Sequence, residues 1–290
     1  MLKRRFLCKT LCLLLGVAAC ADRMQAGVIY VDNRTGSDRF DGKAARPLNA
    51  DVGPLYSLRS ALARSKPGDT IQLADNGIPY FGSATLSGGR HSALGHVRLI
   101  IEGNGAVIDG SQSIPPDAWR EVQSRLWKVT PFRKGYYQLI LDGSPVPEHP
   151  VSSSTLDWDE IPEGHWAVWR GSIYYRGAVG EDPREQPFRF ARDGVGISLY
   201  GVRGITIRNL TVRHFRVDGI SAPNNCRDVL LENVRLVDNG RSGLSVGGSS
   251  HVTLQNGQVA DNREHQLLIS GLGAVEVVDS ELSEPPTFAE

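Results

Sequence analysis

Three short polar stretches recur at nearly equal spacing: Arg213-His214-Phe215-Arg216-Val217-Asp218, Asp238-Asn239-Gly240-Arg241-Ser242 and Asp261-Asn262-Arg263-Glu264-His265. Aligned, they stack His214, Asp238 and Asp261 in one column and Asp218, Ser242 and His265 in another. Acids, guanidinium groups and imidazoles gathered in this way suit two kinds of chemistry. Elimination beside a sugar carboxylate needs a cation for that carboxylate, a base for the adjacent proton and an acid for the leaving oxygen. Arg241 or Arg263 can hold the carboxylate bidentately, Arg216 can contact substrate, and His265 or His214 can serve as base. Hydrolysis of a glycosidic bond needs two carboxyl groups instead. Neighbouring rungs of a parallel stack lie ~4.8 Å apart, which puts Asp238 and Asp261 near the spacing of a retaining pair, with Asp218 or Glu264 as more distant acids. The mixture of arginine and histidine with acids favours elimination. Asp238 and Asp261 are also oxygen ligands of the kind Ca²⁺ takes. A plainer reading stands beside these: Asp-Asn-Gly and Asp-Asn-Arg are turn formers, because short polar side chains bond the local backbone and tolerate left-handed φ.

A second cluster lies near the start, where Asp32, Asp38 and Asp41 accompany Asn33 within ten residues. They could ligate Ca²⁺, although the terminal glutamate and spacing of an EF-hand are absent. A loop of Asx turns, with Arg34 and Arg39 paired to the acids, is the alternative. There is no P-loop, dinucleotide fingerprint, zinc-ligand set or nucleophile elbow.

The polar stretches need a scaffold that brings them together, and a period supplies it. Ile205–Val212, Val229–Leu236, Val252–Val259 and Val275–Leu282 align without gaps at steps of 24, 23 and 23 residues. Apolar residues alternate within each, the mark of half-buried strands. The fifth position reads Asn209, Asn233, Asn256 and Asp279, a side-chain ladder at a corner between two short strands. A further strand follows in each coil: residues 219–222, 243–246 and 266–269, with 196–199 closing the coil before. Residues 97–101 with 106–108, and 70–73 with 85–86, extend the series backwards. The expected fold is all-β: a right-handed, single-stranded parallel β-helix of about five coils, 23–24 residues each, spanning 28–282. The hand follows from the crossover rule.

Val28-Ile-Tyr-Val-Asp-Asn, Gly36-Ser-Asp and Asp41-Gly42, followed by Leu58 through Leu73, resemble the opening of bacterial, exported pectin-lyase-like β-helix proteins. The resemblance covers roughly 28–282 and implies that a helix within 55–66 caps the open end of the core. Leu55, Leu58, Ala61 and Leu62 form its apolar face, and Pro67-Gly68 ends it. For activity the resemblance implies only a range, since this superfamily holds lyases, hydrolases and non-catalytic members.

Residues 111–193 break the period and carry all five tryptophans. They read as a small β insertion leaving the helix in the turn that carries the polar stretches, so that it overhangs them and makes a cleft. Trp166 and Trp169 are the candidates for stacking on sugar rings; membership of the insertion's own core is the other reading.

Residues 1–20 read as an export signal, with Lys3, Arg4, Arg5 and Lys9 ahead of an apolar run ending in small residues. Val17-Ala18-Ala19-Cys20 resembles a lipobox, making Cys20 a candidate for lipidation and the only membrane attachment considered. Beyond the leader only Cys226 remains, so no internal disulfide is available. The 32 basic and 32 acidic residues balance, which argues against a nucleic-acid binder. The fourth repeat shows two strands before a tail, 283–290, that holds Pro285-Pro286 and reads as a cap or a truncated coil. Together these features predict an exported polysaccharide-binding protein, periplasmic, at the cell surface or extracellular. Cleavage by a lyase is preferred to a hydrolase, and a non-catalytic scaffold or a remnant of a longer enzyme is the rival.

Overall fold

The repeats fold as their alternation demands. In the computed structural model, which describes residues 26–93, 95, 97–151 and 157–289, the strands of successive coils pair in parallel and in register. Ile205 lies beside Val229 and Leu99, and Val229 beside Val252. The leader and Cys20 fall outside the described residues. Among the described residues no helix is long and apolar enough to cross a membrane.

One parallel face runs Val28–Val31, Thr70–Leu73, Leu99–Glu102, Arg203–Arg213, Arg227–Val237, His251–Gln255 and Ala274–Val278. The long strands bend at Asn209 and Asn233, where φ is +54° and +49°; Asn256 and Asp279 take the same conformation at the matching corner. Asn adopts this left-handed region at lower cost than most residues because its amide can bond locally. Here Asn233 Nδ2 donates to Asn209 Oδ1 at 2.7 Å, and Asn209 Nδ2 donates to Glu102 Oε1 at 2.8 Å. Past the corner a second face forms from Tyr80–Phe81, Val107–Asp109, the ends of the long strands, Gln258–Ala260 and Glu281–Leu282. A third face joins Ala84–Ser87, Val195–Tyr200, Asp218–Asn224, Ser242–Val246, His265–Ser270 and Thr287–Ala289. The chain is therefore a right-handed parallel β-helix. Inward positions such as Ile207, Leu231, Leu254, Ile220 and Leu244 are fully buried, each contributing roughly 1.5–3 kcal/mol of apolar burial.

The two ends differ. Helix Leu58–Arg64, capped by Ser57, lays Leu58, Ala61 and Leu62 over the first coil. At the other end the tail is no appendage: Thr287–Ala289 supplies the last coil's third strand, pairing with His265–Ser270. Six three-stranded coils result, one more than the repeat alone implied, because the tail's alternation is too short to register as a period.

Residues 111–193 leave the second face at Gly110 and return at Gly194. They fold into two four-stranded antiparallel sheets. The stem is the pair Ser111–Ser113 and Arg189–Ala191. Trp119, Trp127, Trp166, Tyr175 and Phe188 pack one core, and Trp158 and Trp169 flank a second with Tyr174.

Candidate functional site

The polar turn forms as the alignment demands. Asp218 pairs with Ser242 and Ser242 with His265 in parallel register. Arg213, Val237 and Ala260 are likewise in register, so His214, Asp238 and Asp261 follow one another up the next column. All three adopt left-handed φ, +59°, +54° and +56°, which turns the chain from the second face to the third. Asn239 and Asn262, immediately after the corner, are buried. Asn239 Nδ2 donates to Asn262 Oδ1 at 2.9 Å, and Asn239 Oδ1 accepts from the Phe215 amide at 3.1 Å. The turn-forming reading therefore describes the asparagines, and leaves the aspartates ahead of them to be judged by their own surroundings.

Those surroundings separate the candidates. Asp218 is buried, its carboxylate bound bidentately by Arg241 (2.9 and 2.6 Å) and by Ser242 Oγ at 2.6 Å. Asp218 and Arg241 thus pair with one another, and the carboxylate of Asp218 is buried beneath the guanidinium. Arg263 donates to the Tyr137 carbonyl at 2.9 Å and pairs with Glu148 at 2.7 Å. Arg216 donates to the carbonyls of Lys134 and Gly135. These two arginines dock the insertion onto the helix, which corrects their assignment to substrate. Trp166 is corrected too: it is 2% exposed in the insertion core, its indole N–H donating to the Val146 carbonyl. Trp169 packs edge-on against Trp158 and carries the Arg170 guanidinium over its ring, so one of its faces is already covered.

The amino-terminal aspartates do not converge either. Asp32 accepts from the Arg34 amide, Thr35 Oγ1 and Asn76 Nδ2. Asp38 accepts from the Tyr56 and Ser57 amides and Ser57 Oγ, fixing the entry to the capping helix. Asp41 accepts from the Lys43 amide. Each carboxylate closes a local turn or cap, and among the described residues no three acidic, histidine or cysteine side chains gather as a metal site.

What remains is a graded row. At its base Asp109, buried, accepts from His214 Nδ1 at 2.9 Å and from Arg213 Nε at 3.1 Å. Burial would raise its pKa, but the hydrogen bond and charge of His214, with Ser111, outweigh this and hold it far below the usual carboxylate range. His214 is itself fully buried, with Nε2 lacking a partner. One rung on, Asp238 is half-buried and its pKa is raised. Burial is the main cause, His214 opposes it, and Asp261 reinforces it. Asp261 is exposed. His265 is partly exposed, and its ring has no hydrogen-bond partner among the described residues. Asp109 escapes a reading of the sequence because it stands just before Gly110, where the insertion leaves, 105 positions from the histidine it binds. Its only sequence signal was a place at the end of a strand just before the period breaks.

Residues 195–284 match the family described as the right handed beta helix region. Among solved structures, XylC in complex with xylose superposes with a TM-score of 0.58 at 13% identity, over 87% of this chain and 58% of that one. A glycoside hydrolase superposes with a TM-score of 0.63 at 12% identity, over 85% of this chain and 68% of that one. The chain thus spans little more than half of the XylC structure. No curated protein matches the sequence. The family match and the two superpositions agree on the fold, a right-handed parallel β-helix, which is shared with a structure described as a glycoside hydrolase and with XylC bound to xylose.

Proposed function

We propose that this chain is an exported, glycan-cleaving β-helix protein that uses Asp238 and Asp261 as the acid and nucleophile of a retaining glycoside hydrolase. One observation carries the choice. Arg213, Arg216, Arg241 and Arg263 all have protein partners, whereas adjacent rungs hold one carboxyl with a raised pKa and one exposed carboxylate. Elimination needs an available cation, and each arginine of this turn is already engaged by the protein; hydrolysis needs two carboxyl groups in different surroundings, and this turn holds one half-buried and one exposed. The glycoside hydrolase and XylC superpositions agree with a carbohydrate substrate, and residues 1–20 support export.

In this mechanism protonated Asp238 gives its proton to the glycosidic oxygen as that bond breaks. The Asp261 carboxylate attacks the anomeric carbon from the opposite side and forms a glycosyl ester. Asp238, now ionised, takes a proton from water, which cleaves the ester and restores both groups. The rung spacing of ~4.8 Å is close to the ~5–5.5 Å of retaining pairs. The upward shift of Asp238 supplies the acid form at higher pH than an exposed aspartate would.

The test is release of reducing ends from a panel of neutral and acidic polysaccharides by the purified protein, with the anomer of the first product followed by NMR. Retention, with turnover lost in both Asp238→Asn and Asp261→Asn, is the expected result. An unsaturated, ultraviolet-absorbing product would restore the lyase reading, and turnover unaffected by either substitution would remove the pair from the mechanism.

A further inference from the structure

The insertion stem has a second flank, facing the amino-terminal coils, and its arginines are arranged differently. A cleft of about 490 Å³ lies there between the capping helix, the Phe81-Gly82-Ser83 turn and the stem. That size is within the range of small-ligand sites. Arg59, Arg189 and Arg192 line it, and Asp193 is the one acid among its lining residues. Arg59 has no hydrogen-bond or ion-pair partner among the described residues, and Arg192 has only Asp193, at 3.6 Å. Arg189 is held in place by neutral groups: Nε and Nη1 donate to the hydroxyls of Ser111 and Ser113 at 2.7 Å, and Nη2 to the Ser111 carbonyl at 3.0 Å. Its Cζ lies 4.4 Å from the centre of the Phe81 ring. Asp109, the buried acid that feels its charge, is already bound by His214, Arg213 and the Ser111 amide. The cleft therefore keeps positive charge that the protein does not neutralise. Beside that charge lie Phe81, 55% exposed, and the hydroxyls of Ser83 and Ser113.

Those features match the parts of an acidic sugar. Guanidinium groups bind a carboxylate or sulfate through paired N–H donors, hydroxyls bond sugar hydroxyls, and the exposed part of Phe81 offers an apolar surface for a pyranose ring. We infer that the amino-terminal flank of the insertion is a subsite for an acidic sugar unit of a glycan, separate from Asp238 and Asp261 on the opposite flank. The inference rests on the glycan reading for the class of its ligand, and on the unneutralised arginines for its place.

Isothermal titration tests it with three oligosaccharides of equal length: oligogalacturonate, a sulfated oligosaccharide and neutral xylooligosaccharide. The wild-type protein, the double variant Arg59→Gln/Arg192→Gln and Asp238→Asn are compared. Both substituted arginines are exposed, so circular dichroism should show an unchanged fold. The expected result is salt-sensitive binding of an acidic oligomer to wild type and Asp238→Asn alike, weakened about tenfold or more in the double variant. Neutral oligomer binding should be indifferent to the double substitution. Preference for oligogalacturonate assigns the anion as a carboxylate, and preference for the sulfated chain assigns it as a sulfate ester; either supports the site. Equal affinity of the double variant for the acidic oligomers, or no acidic binding by folded wild type at millimolar ligand, overturns it. Because Asp238→Asn keeps this binding, failure of the hydrolase reading and failure of the subsite would be told apart.

Discussion

The two flanks of the insertion stem carry similar residues and put them to different ends. Toward the carboxyl terminus, Arg213, Arg216, Arg241 and Arg263 face partners within the protein: two buried aspartates, one glutamate and three carbonyls. Toward the amino terminus, Arg59, Arg189 and Arg192 meet one weakly placed acid, two hydroxyls, one carbonyl and a ring. A guanidinium held by a carboxylate or by insertion carbonyls is a structural tie, because undoing it leaves a partly buried charge unpaired. One held by neutral groups keeps its charge for a ligand. Residue type therefore says little about these arginines until each donor has been traced to its acceptor.

Removing the anchor of the tied flank should give the largest effect. Asp109→Ala would leave His214 buried and Arg213 without its acid, a loss of about 3–5 kcal/mol by analogy with broken buried pairs. Urea unfolding measures it. The pH dependence has a definite sign. Asp109 remains ionised further into acid when folded than when unfolded, so its contribution is complete above pH about 4 and is withdrawn as pH falls below that value. The variant should lack this part of the acid sensitivity, and an unchanged midpoint would show that the tie is unimportant.

Asp238 should behave in the opposite way. Its raised folded pKa means that stability is greatest below the unfolded value and declines as pH rises through the folded one. Asp238→Asn should therefore melt higher than wild type at pH 7, with the difference closing below pH about 4, while turnover falls by about 100-fold or more. Asparagine suits the left-handed φ of +54° there, as it does at Asn209 and Asn233. A variant that is less stable at neutral pH would show Asp238 to be structural. With the Asp109 variant this completes the contrast between two carboxylates on either side of His214, since one strengthens the fold by being charged and the other weakens it.

How far the sequence could lead follows from the same geometry. Alternation and period belong to neighbours 23 or 24 residues apart, so the stacking of Asp238 on Asp261 and of Ser242 on His265 was legible before any coordinates. The capping helix was legible from Leu58, Ala61 and Leu62 and a Pro-Gly stop, whereas Leu55, expected on the same face, lies before the Ser57 cap and bridges to Val31. What escaped was everything decided across the insertion. Arg263 finds the Tyr137 carbonyl 126 residues away, Arg189 finds Ser111 across 78, and His214 finds Asp109 across 105. No local pattern encodes such pairings. Trp166 shows the same limit, for a tryptophan in an irregular β unit has identical spacing whether it faces a groove or the core.

The smallest expected effect concerns how firmly the insertion is held. Glu148 belongs to the insertion and Arg263 to the helix, and their contact is 2.7 Å with both side chains partly exposed. Burial raises the pKa of Glu148, and Arg263 offsets this only in part. Exposed pairs contribute about 0–1 kcal/mol, so Glu148→Gln should cost less than about 1 kcal/mol and leave the midpoint of unfolding nearly unchanged. The informative readout is local. Amide hydrogen exchange at 134–148 should quicken if the pair holds the insertion against the helix, while exchange in the stem strands 111–113 and 189–191 stays slow because their ladder is independent of Arg263. If the neutral glutamine also leaves exchange at 134–148 unaltered, the carbonyl contacts of Arg216 and Arg263 are sufficient to dock the insertion. The tied flank would then owe its rigidity to hydrogen bonds rather than to charge.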